Sequence, residues 1–292
     1  MEGIILSGIG GFYTVREDTG ACHTLRAQAK IRRQRLKPMV GDRVVFEPGE
    51  KEQNGWLEEI LPRRNQLVRP PVANIDLIGI VVAAGSPAPD LLLADRMLMY
   101  ACQRQIHTAL IVNKVDEDAS LAEDIARQYR LSGARVFLTC ATTGEGVEAL
   151  KQALSGRVHA LGGQSGVGKS SLVNRLYGFD RETGQLSEKI ERGKNTTRHC
   201  ELIPLPDGGM VLDTPGFSLL ELELCDPFEL RFLVPEFAPC EGHCRFAPCA
   251  HVSEPDCAAR AAVERGDIPR ERWERYCELF NDMKIRWRER YG

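Results

Sequence analysis

Leu161-Gly162-Gly163-Gln164-Ser165-Gly166-Val167-Gly168-Lys169-Ser170-Ser171 fits the pattern GxxxxGK(S/T) from Gly163 to Ser170. The apolar run 158–161 precedes it and a helical pattern over 171–176 follows, the strand–loop–helix order that a phosphate loop requires. Its glycines allow a tight turn in which the backbone amides of Gly163, Gln164, Ser165, Gly166, Val167, Gly168 and Ser171 converge on phosphate oxygens. The start of the following helix adds a favourable dipole for negative charge. Lys169 is expected to reach the β- and γ-phosphates, and Ser170 to supply an oxygen to Mg²⁺.

Upstream of this loop, strands and helices alternate. Apolar strand runs at 75–83, 108–112 and 135–139 are separated by helical patterns at 91–102, 121–131 and 147–154. That order predicts a largely parallel sheet covered by helices on both faces. Asn113-Lys114-Val115-Asp116 follows the second of these strands. As NKxD it places the Asp116 carboxylate where it accepts from guanine N1 and the exocyclic amine, donors that adenine does not present there. Asn113 and Lys114 brace the loop and cover the base, which favours GTP over ATP. The segment 138–146 is similar to the loop that contacts the guanine edge in GTPases, with Cys140 where Ser is usual and Ala141 as the better-supported contact.

Downstream, Asp213-Thr214-Pro215-Gly216 follows the apolar run 210–212 and reads as DxxG. Its Asp holds Mg²⁺ through water and its Gly amide senses the γ-phosphate. Between the two phosphate motifs, Arg192-Gly193-Lys194-Asn195-Thr196-Thr197-Arg198-His199 suits a mobile switch that carries the Mg²⁺-binding threonine, Thr197 or its neighbour Thr196. The guanine motifs precede the phosphate loop, so the domain is circularly permuted, and DxxG runs through residues 217–232 directly into the C-terminal segment. Phe217 stands where Ras-like enzymes place the water-orienting Gln, and a phenyl ring cannot do that work. Slow intrinsic hydrolysis, accelerated by a partner, is the expectation.

The first 65 residues contain short β-rich runs at 3–6, 11–15, 43–46 and 55–60 with no helical period between them, which predicts a small OB-type barrel. Residues 1–70 hold 12 Lys+Arg against 9 Asp+Glu, while the rest of the chain holds 26 against 32. The basic excess includes Lys30-Ile31-Arg32-Arg33-Gln34-Arg35-Leu36-Lys37, a loop able to neutralise phosphates or simply to be solvated. Phe12, Tyr13 and Trp56 are able to stack on bases, although aromatics in alternating strands more often fill a core. No run of 18 apolar residues is present and the start lacks an export signal, so a cytoplasmic protein that does not span a membrane is expected.

Six of the ten cysteines are scattered singly, whereas Cys240, Cys244, Cys249 and Cys257 crowd together with His243 and His251. Cys244, Cys249, His251 and Cys257 supply three thiolates and one imidazole, enough to close a tetrahedral shell around one structural Zn²⁺. Cys240 and His243 are read as non-ligands, either of them able to substitute for one of the four. Beyond them, Trp273, Tyr276, Phe280, Met283 and Trp287 form one stripe on a helix over 269–291, suited to packing on the zinc segment. The opposite face, with Arg270, Arg275, Arg286 and Arg290, reads as solvated or RNA-facing.

These motifs, together with Val40-Gly41-Asp42-Arg43-Val44 and the run from Arg63 to Asp76, make the chain resemble the RsgA family of circularly permuted GTPases over nearly its whole length. The resemblance implies three parts: an OB barrel that binds RNA (1–66), a permuted GTPase domain (67–222) and a helical zinc-binding domain (223–292). They would act together on the small ribosomal subunit and its rRNA, with GTP hydrolysis stimulated by that subunit and the protein expected to be a monomer. One departure stands out: Asn195-Thr196-Thr197 replaces the family's His-Thr-Thr. Asn195 is no general base at neutral pH but can orient water, and His199 is a possible substitute. Two other classes fit parts of the chain, a P-loop ATPase or kinase and a nucleotide-independent RNA-binding module.

Overall fold

The computed structural model describes residues 1–28, 30–31, 36–49, 54–178, 200–213 and 221–291. Arg32, Arg33 and Arg35 of the basic loop, Asn195, Thr196, Thr197 and His199 of the first switch, and Gly216 and Phe217 of the second lie outside the described residues. The chain forms two compact units. One comprises Met1–Ile78, Lys151–Leu161 and Val173–Leu219, and the other Gly79–Leu150, Gly162–Leu172 and Leu220–Gly292.

In the first unit, strands β1 (Glu2–Ile9), β2 (Phe12–Glu17), β3 (Cys22–Ala27), β4 (Arg43–Glu47) and β5 (Gly55–Ile60) close into a barrel in the order β1-β2-β3-β5-β4. Alternate residues point inward, and Ile5, Val15, Leu25, Ala27, Val44, Phe46 and Leu57 form the core with Ile31. β3 carries no obvious strand signal: only Leu25 and Ala27 are buried among polar neighbours. Of the three aromatics, Tyr13 packs against this core, whereas Trp56 faces outward and is 45% exposed. The core expectation therefore fails for Trp56, because its register places it on the solvent side between buried Gly55 and Leu57.

The stretches 40–44 and 63–76 form the polar frame at the end of the barrel. Asp42 is fully buried and is gripped by Arg63, whose Nε and guanidinium nitrogen donate to its two oxygens at 2.6 and 2.8 Å. The Met39 amide donates to the same carboxylate at 2.8 Å. Asn74, with φ of 58°, donates from its amide to the Gly41 carbonyl and accepts from the Arg64 amide. A buried carboxylate needs such a complete set of donors.

The two-stranded pair β6 (Gln66–Leu67) and β7 (Val72–Ala73) leads to β8 (Leu77–Ala83), all seven residues of which are buried. A continuous apolar strand suits a sheet covered on both faces. Next come α1 (Leu91–Gln103), β9 (His107–Asn113), α2 (Ala119–Tyr129), β10 (Arg135–Thr139), α3 (Val147–Leu154), β11 (Val158–Gly162) and α4 (Lys169–Tyr177). After the switch region come β12 (Glu201–Pro204) and β13 (Met210–Asp213). The sheet order is β10-β9-β8-β11-β13-β12, with β9/β10 and β11/β13 parallel and β12 an antiparallel edge. Asp90 and Asp118 cap α1 and α2, each accepting from the amide three residues on at 2.9 Å.

The second unit ends in two 3₁₀ helices (Pro227–Leu233 and Pro235–Cys240), then α5 (Ala258–Arg265) and α6 (Arg270–Tyr291). Tyr276, Phe280 and Met283 of the aromatic stripe are buried, and Phe237 meets Tyr276 edge-on at 4.8 Å. The arginine face of α6 is not simply solvated. Arg275 pairs with Asp95 of α1 at 2.5 Å and donates to Gln128 of α2 at 3.1 Å, and Arg286 donates to the Leu222 carbonyl at 3.0 Å. Beside them, buried Arg272 pairs with Asp95 and Glu236 and lies over the Tyr129 ring at 4.7 Å. Burial opposes its charge, but the two carboxylates outweigh that and hold its pKa above the ordinary value.

Candidate nucleotide and metal sites

The glycine loop leaves β11 and enters α4. Gly163, Gly166 and Gly168 have φ of 134°, 84° and 91°, values that residues with a Cβ rarely adopt. A Cβ on Gly163 would collide with the Val81 carbonyl, and one on Gly168 with the Asn113 amide. Val167 is fully buried and anchors the loop, while Ser165, Ser170 and Ser171 are exposed. Half-buried Lys169 donates from Nζ to the carbonyls of Gly163 (2.8 Å) and Gln164 (2.6 Å), and burial lowers its pKa. The Gln164 side-chain oxygen accepts from the Asp90 amide at 3.3 Å.

Asn113, only 1% exposed, joins three loops that are far apart in sequence. Its Nδ2 donates to the Val167 carbonyl in the glycine loop at 2.9 Å. Its Oδ1 accepts from the Ala141 amide at 3.2 Å and from Thr139 Oγ1 at 3.3 Å. NKxD, the 138–146 loop and the glycine loop are thus fastened at one point. Such cross-loop bonds are expensive to leave unmade once buried.

Lys114 has φ of 65°, and its ammonium bonds the Ser86 carbonyl and lies 3.3 Å from Glu117. Glu117 in turn accepts from the Ser86 amide at 2.7 Å, which, with Lys114, lowers its pKa. Val115 donates from its amide to the Thr139 carbonyl at 3.3 Å. The consequence is a rigid loop with Asp116 exposed at its tip. Cys140 is buried, its Sγ 2.9 Å from Thr142 Oγ1 and accepting from the Thr143 amide, so it supports the loop from within. Asp213 is the last residue of β13, in the first unit.

In the C-terminal part, the donor atoms of Cys244, Cys249, His251 and Cys257 all lie within 4.8 Å of one another. His251 Nδ1 is 3.6 Å from Cys244 Sγ and 3.4 Å from Cys257 Sγ. A tetrahedral ion with ~2.3 Å sulfur bonds needs ligand separations of about 3.8 Å, so this donor set fits Zn²⁺. The outer shell is complete as well. Glu241 Oε1 lies 3.0 Å from His251 Nε2, fixing the ring, and Glu254 accepts from the amides of Ala250, Val252 and Ser253. Trp273 Nε1 and Tyr276 OH of α6 donate to the carbonyls of His251 and Ala250 at 2.7 and 2.6 Å. Burial pushes the Cys249 thiol up to about 12, so a thiolate here calls for a cation beside it.

Sequence patterns point to none of Glu241, Arg272 or Gln103. Gln103, at the end of α1, donates to the Glu223 carbonyl at 3.2 Å and accepts from the Glu223 amide at 3.1 Å, while Arg104 pairs with the Glu223 carboxylate. With Arg286 on Leu222, these contacts pin the chain just beyond the second switch.

Known proteins match this architecture along its length. The RsgA N-terminal domain model matches residues 2–57 and the RsgA GTPase model residues 60–223. The Small ribosomal subunit biogenesis GTPase RsgA of Caldanaerobacter subterraneus subsp. tengcongensis is 43% identical, covering 100% of this chain and 98% of the relative. That of Moorella thermoacetica is also 43% identical, over 99% of each. Among solved structures, YjeQ from Thermotoga maritima superposes with a TM-score of 0.84 at 34% identity, over 97% of this chain and 98% of that one. YloQ, described as a circularly permuted GTPase, gives 0.79 at 33% identity, over 98% and 95%. The chain belongs to the RsgA GTPase family.

Proposed function

We propose that this GTPase serves the late maturation of the small ribosomal subunit, binding its rRNA and hydrolysing GTP when the subunit stimulates it. As a member of its family it is a hydrolase acting on GTP. The observation that carries the reading is Asn113, which fastens the guanine loops to the phosphate loop although the chain visits them in permuted order. In this reading residues 1–66 bind RNA, 67–222 bind GTP or GDP, and 223–292 form a domain held together by one Zn²⁺ on Cys244, Cys249, His251 and Cys257.

Asp116 reads guanine with Ala141 beside it, and residues 163–171 cradle the phosphates. Ser170 and Thr197, with Asp213 through water, would hold Mg²⁺, which when bound would supply positive charge to offset the negative charge on the phosphates. Lys169 stabilises the transferring γ-phosphoryl group during in-line attack by water. Thr196 and Thr197 close over it, and the Gly216 amide senses the γ-phosphate. Phe217 offers no base, which leaves Asn195 or His199 to orient the water. Hydrolysis then releases the subunit through the segment that joins Asp213 to the zinc domain, in which Glu223 is held by Gln103 and Arg104 and Leu222 by Arg286.

Two measurements test this. Turnover should rise several-fold or more with purified small subunits and not with large ones; equal turnover in both and with neither removes the ribosome-coupled reading. Lys169→Ala should lower single-turnover hydrolysis by about a hundredfold, the loss typical of one preorganised charge donor. Lys169→Arg should not restore it, because a forked guanidinium does not fit a cradle closed by two backbone carbonyls. A mutant that keeps wild-type turnover would remove Lys169 from the mechanism.

A further inference from the structure

The outer face of the barrel carries a row of side chains in cross-strand register. Ile9 on β1 faces Phe12 on β2, Phe12 faces Arg26 on β3, Arg26 faces Trp56 on β5, and Trp56 faces Glu47 on β4. Neighbours in such a row stand close enough for their side chains to touch. Ile9 is 60% and Trp56 45% exposed, and Arg26 and Glu47 are exposed as well. The Arg26 guanidinium already lies over the Phe12 ring, 4.4 Å from its centre. Among the described residues no ring or cation covers Trp56.

A single exposed aromatic is ordinary. Here the position adds meaning. Ile9 and Phe12 flank the β1–β2 turn, whose Gly10 and Gly11 have open space around them. Glu47 and Trp56 stand at the facing ends of β4 and β5. The row therefore runs across the strand 2–3 face between the two loops with which OB barrels hold oligonucleotides. Arg26 supplies a cation for a phosphate, and the first 70 residues carry a net positive charge. Glu47 repels phosphate at the Trp56 end, so a strand lying along the row places its backbone toward Arg26 and a base toward the indole.

We propose that Trp56, with Arg26 and Phe12 beside it, is a stacking platform for an unpaired base of single-stranded RNA. This rests on the rRNA-binding reading above and specifies how the barrel would grip its target, by π-stacking in addition to charge. Stacking is tolerant of sequence and favours purines, whose larger rings cover more of the indole.

The test uses the full-length protein and short oligoribonucleotides, A7 and U7, followed by anisotropy and by tryptophan emission. A7 should bind more tightly than U7 and quench part of the emission. Trp56→Ala should weaken A7 binding about tenfold, the usual cost of losing one stacked base, with the salt dependence unchanged. Trp56→Phe, which keeps a ring, should bind within about threefold of wild type but lose the quenching. Arg26→Ala should reduce the salt slope instead. Wild-type affinity in Trp56→Ala, or a Trp56→Phe protein as weak as the alanine variant, overturns the proposal.

Small-subunit pelleting separates this from the wider reading. Quenching by A7 without any binding to small subunits upholds the platform and overturns the subunit reading. Subunit binding that Trp56→Ala weakens, with A7 binding unaffected, assigns the patch to a protein contact and overturns the platform.

Discussion

Asp116→Asn is expected to exchange GTP for xanthosine triphosphate as the preferred substrate, changing the ratio of kcat/KM values by about 10⁴-fold. The argument is one of donors and acceptors. Guanine offers two parallel donors, the N1 hydrogen and the exocyclic amine, and a carboxylate accepts both with its two oxygens. Asparagine keeps one acceptor and replaces the other with an NH₂ group, which confronts the exocyclic amine donor to donor. Xanthine carries a carbonyl in place of that amine, so the same NH₂ finds an acceptor. A site built to bond a polar edge rejects the wrong edge strongly because its own groups are left unpaired.

The loop that presents Asp116 is too well fastened to adapt. Lys114 is held by the Ser86 carbonyl and Glu117, and Asn113 is bonded on both sides of its amide. The substitution therefore acts on base identity rather than on loop shape, and its signature is a gain with one nucleotide alongside a loss with another. Steady-state kinetics with GTP, ATP and xanthosine triphosphate measure it. Undiminished GTP use by the variant would remove Asp116 from guanine recognition.

The parts of this fold that were legible in the sequence are those where one residue type solves a local problem. The glycine loop and NKxD are short, and each needs its residues for backbone shape or cross-loop bonding, so they can be read without knowing the neighbours. β8 was legible because a strand covered on both faces must be apolar throughout. β3 and β12 were not, because each sits where partner strands, rather than its own composition, dictate extension. The same reason hid Arg272. Its sequence neighbours look like those of any surface arginine on a helix, and only the approach of Asp95 and Glu236 from distant segments turns it into a buried ion cluster. Asn113 lies between these cases: the motif announced it, while its bonds to the Val167 carbonyl and the Ala141 amide came only with the tertiary structure.

Cys257→Ala is expected to reduce bound zinc from one ion per chain to nearly none and to unfold the segment around it. Structural zinc contributes on the order of 10 kcal/mol to small domains, because the ligands are organised only when the metal joins them. The local backbone shows the same dependence. His251 has φ of 62° and Asp256 53°, conformations that a residue with a side chain adopts at some cost and that the cluster must hold in place. The loop between Cys244 and Cys257 contributes few buried apolar side chains of its own, Cys249 and Ala250 among them. Without the ion, the four donors would face one another, with burial raising the pKa of the Cys249 and Cys257 thiols and so keeping them protonated.

The loss should spread along a defined route. The His251 and Ala250 carbonyls accept from Trp273 and Tyr276, so unravelling the loop frees one face of α6. The red shift of Trp273 emission should therefore accompany zinc release by a strong chelator. On its other face α6 is held by the Arg272 and Arg275 pairs with Asp95, which do not involve the metal. Breaking a buried pair of that kind costs about 3–5 kcal/mol, so those contacts resist release of the helix from α1. Zinc loss should thus melt the C-terminal segment before the nucleotide loops, and GTP affinity should outlast the metal. Metal content by atomic absorption, read beside nucleotide binding in Cys257→Ala, checks both halves; a variant that keeps its zinc would mean Cys240 or His243 has taken the vacant position.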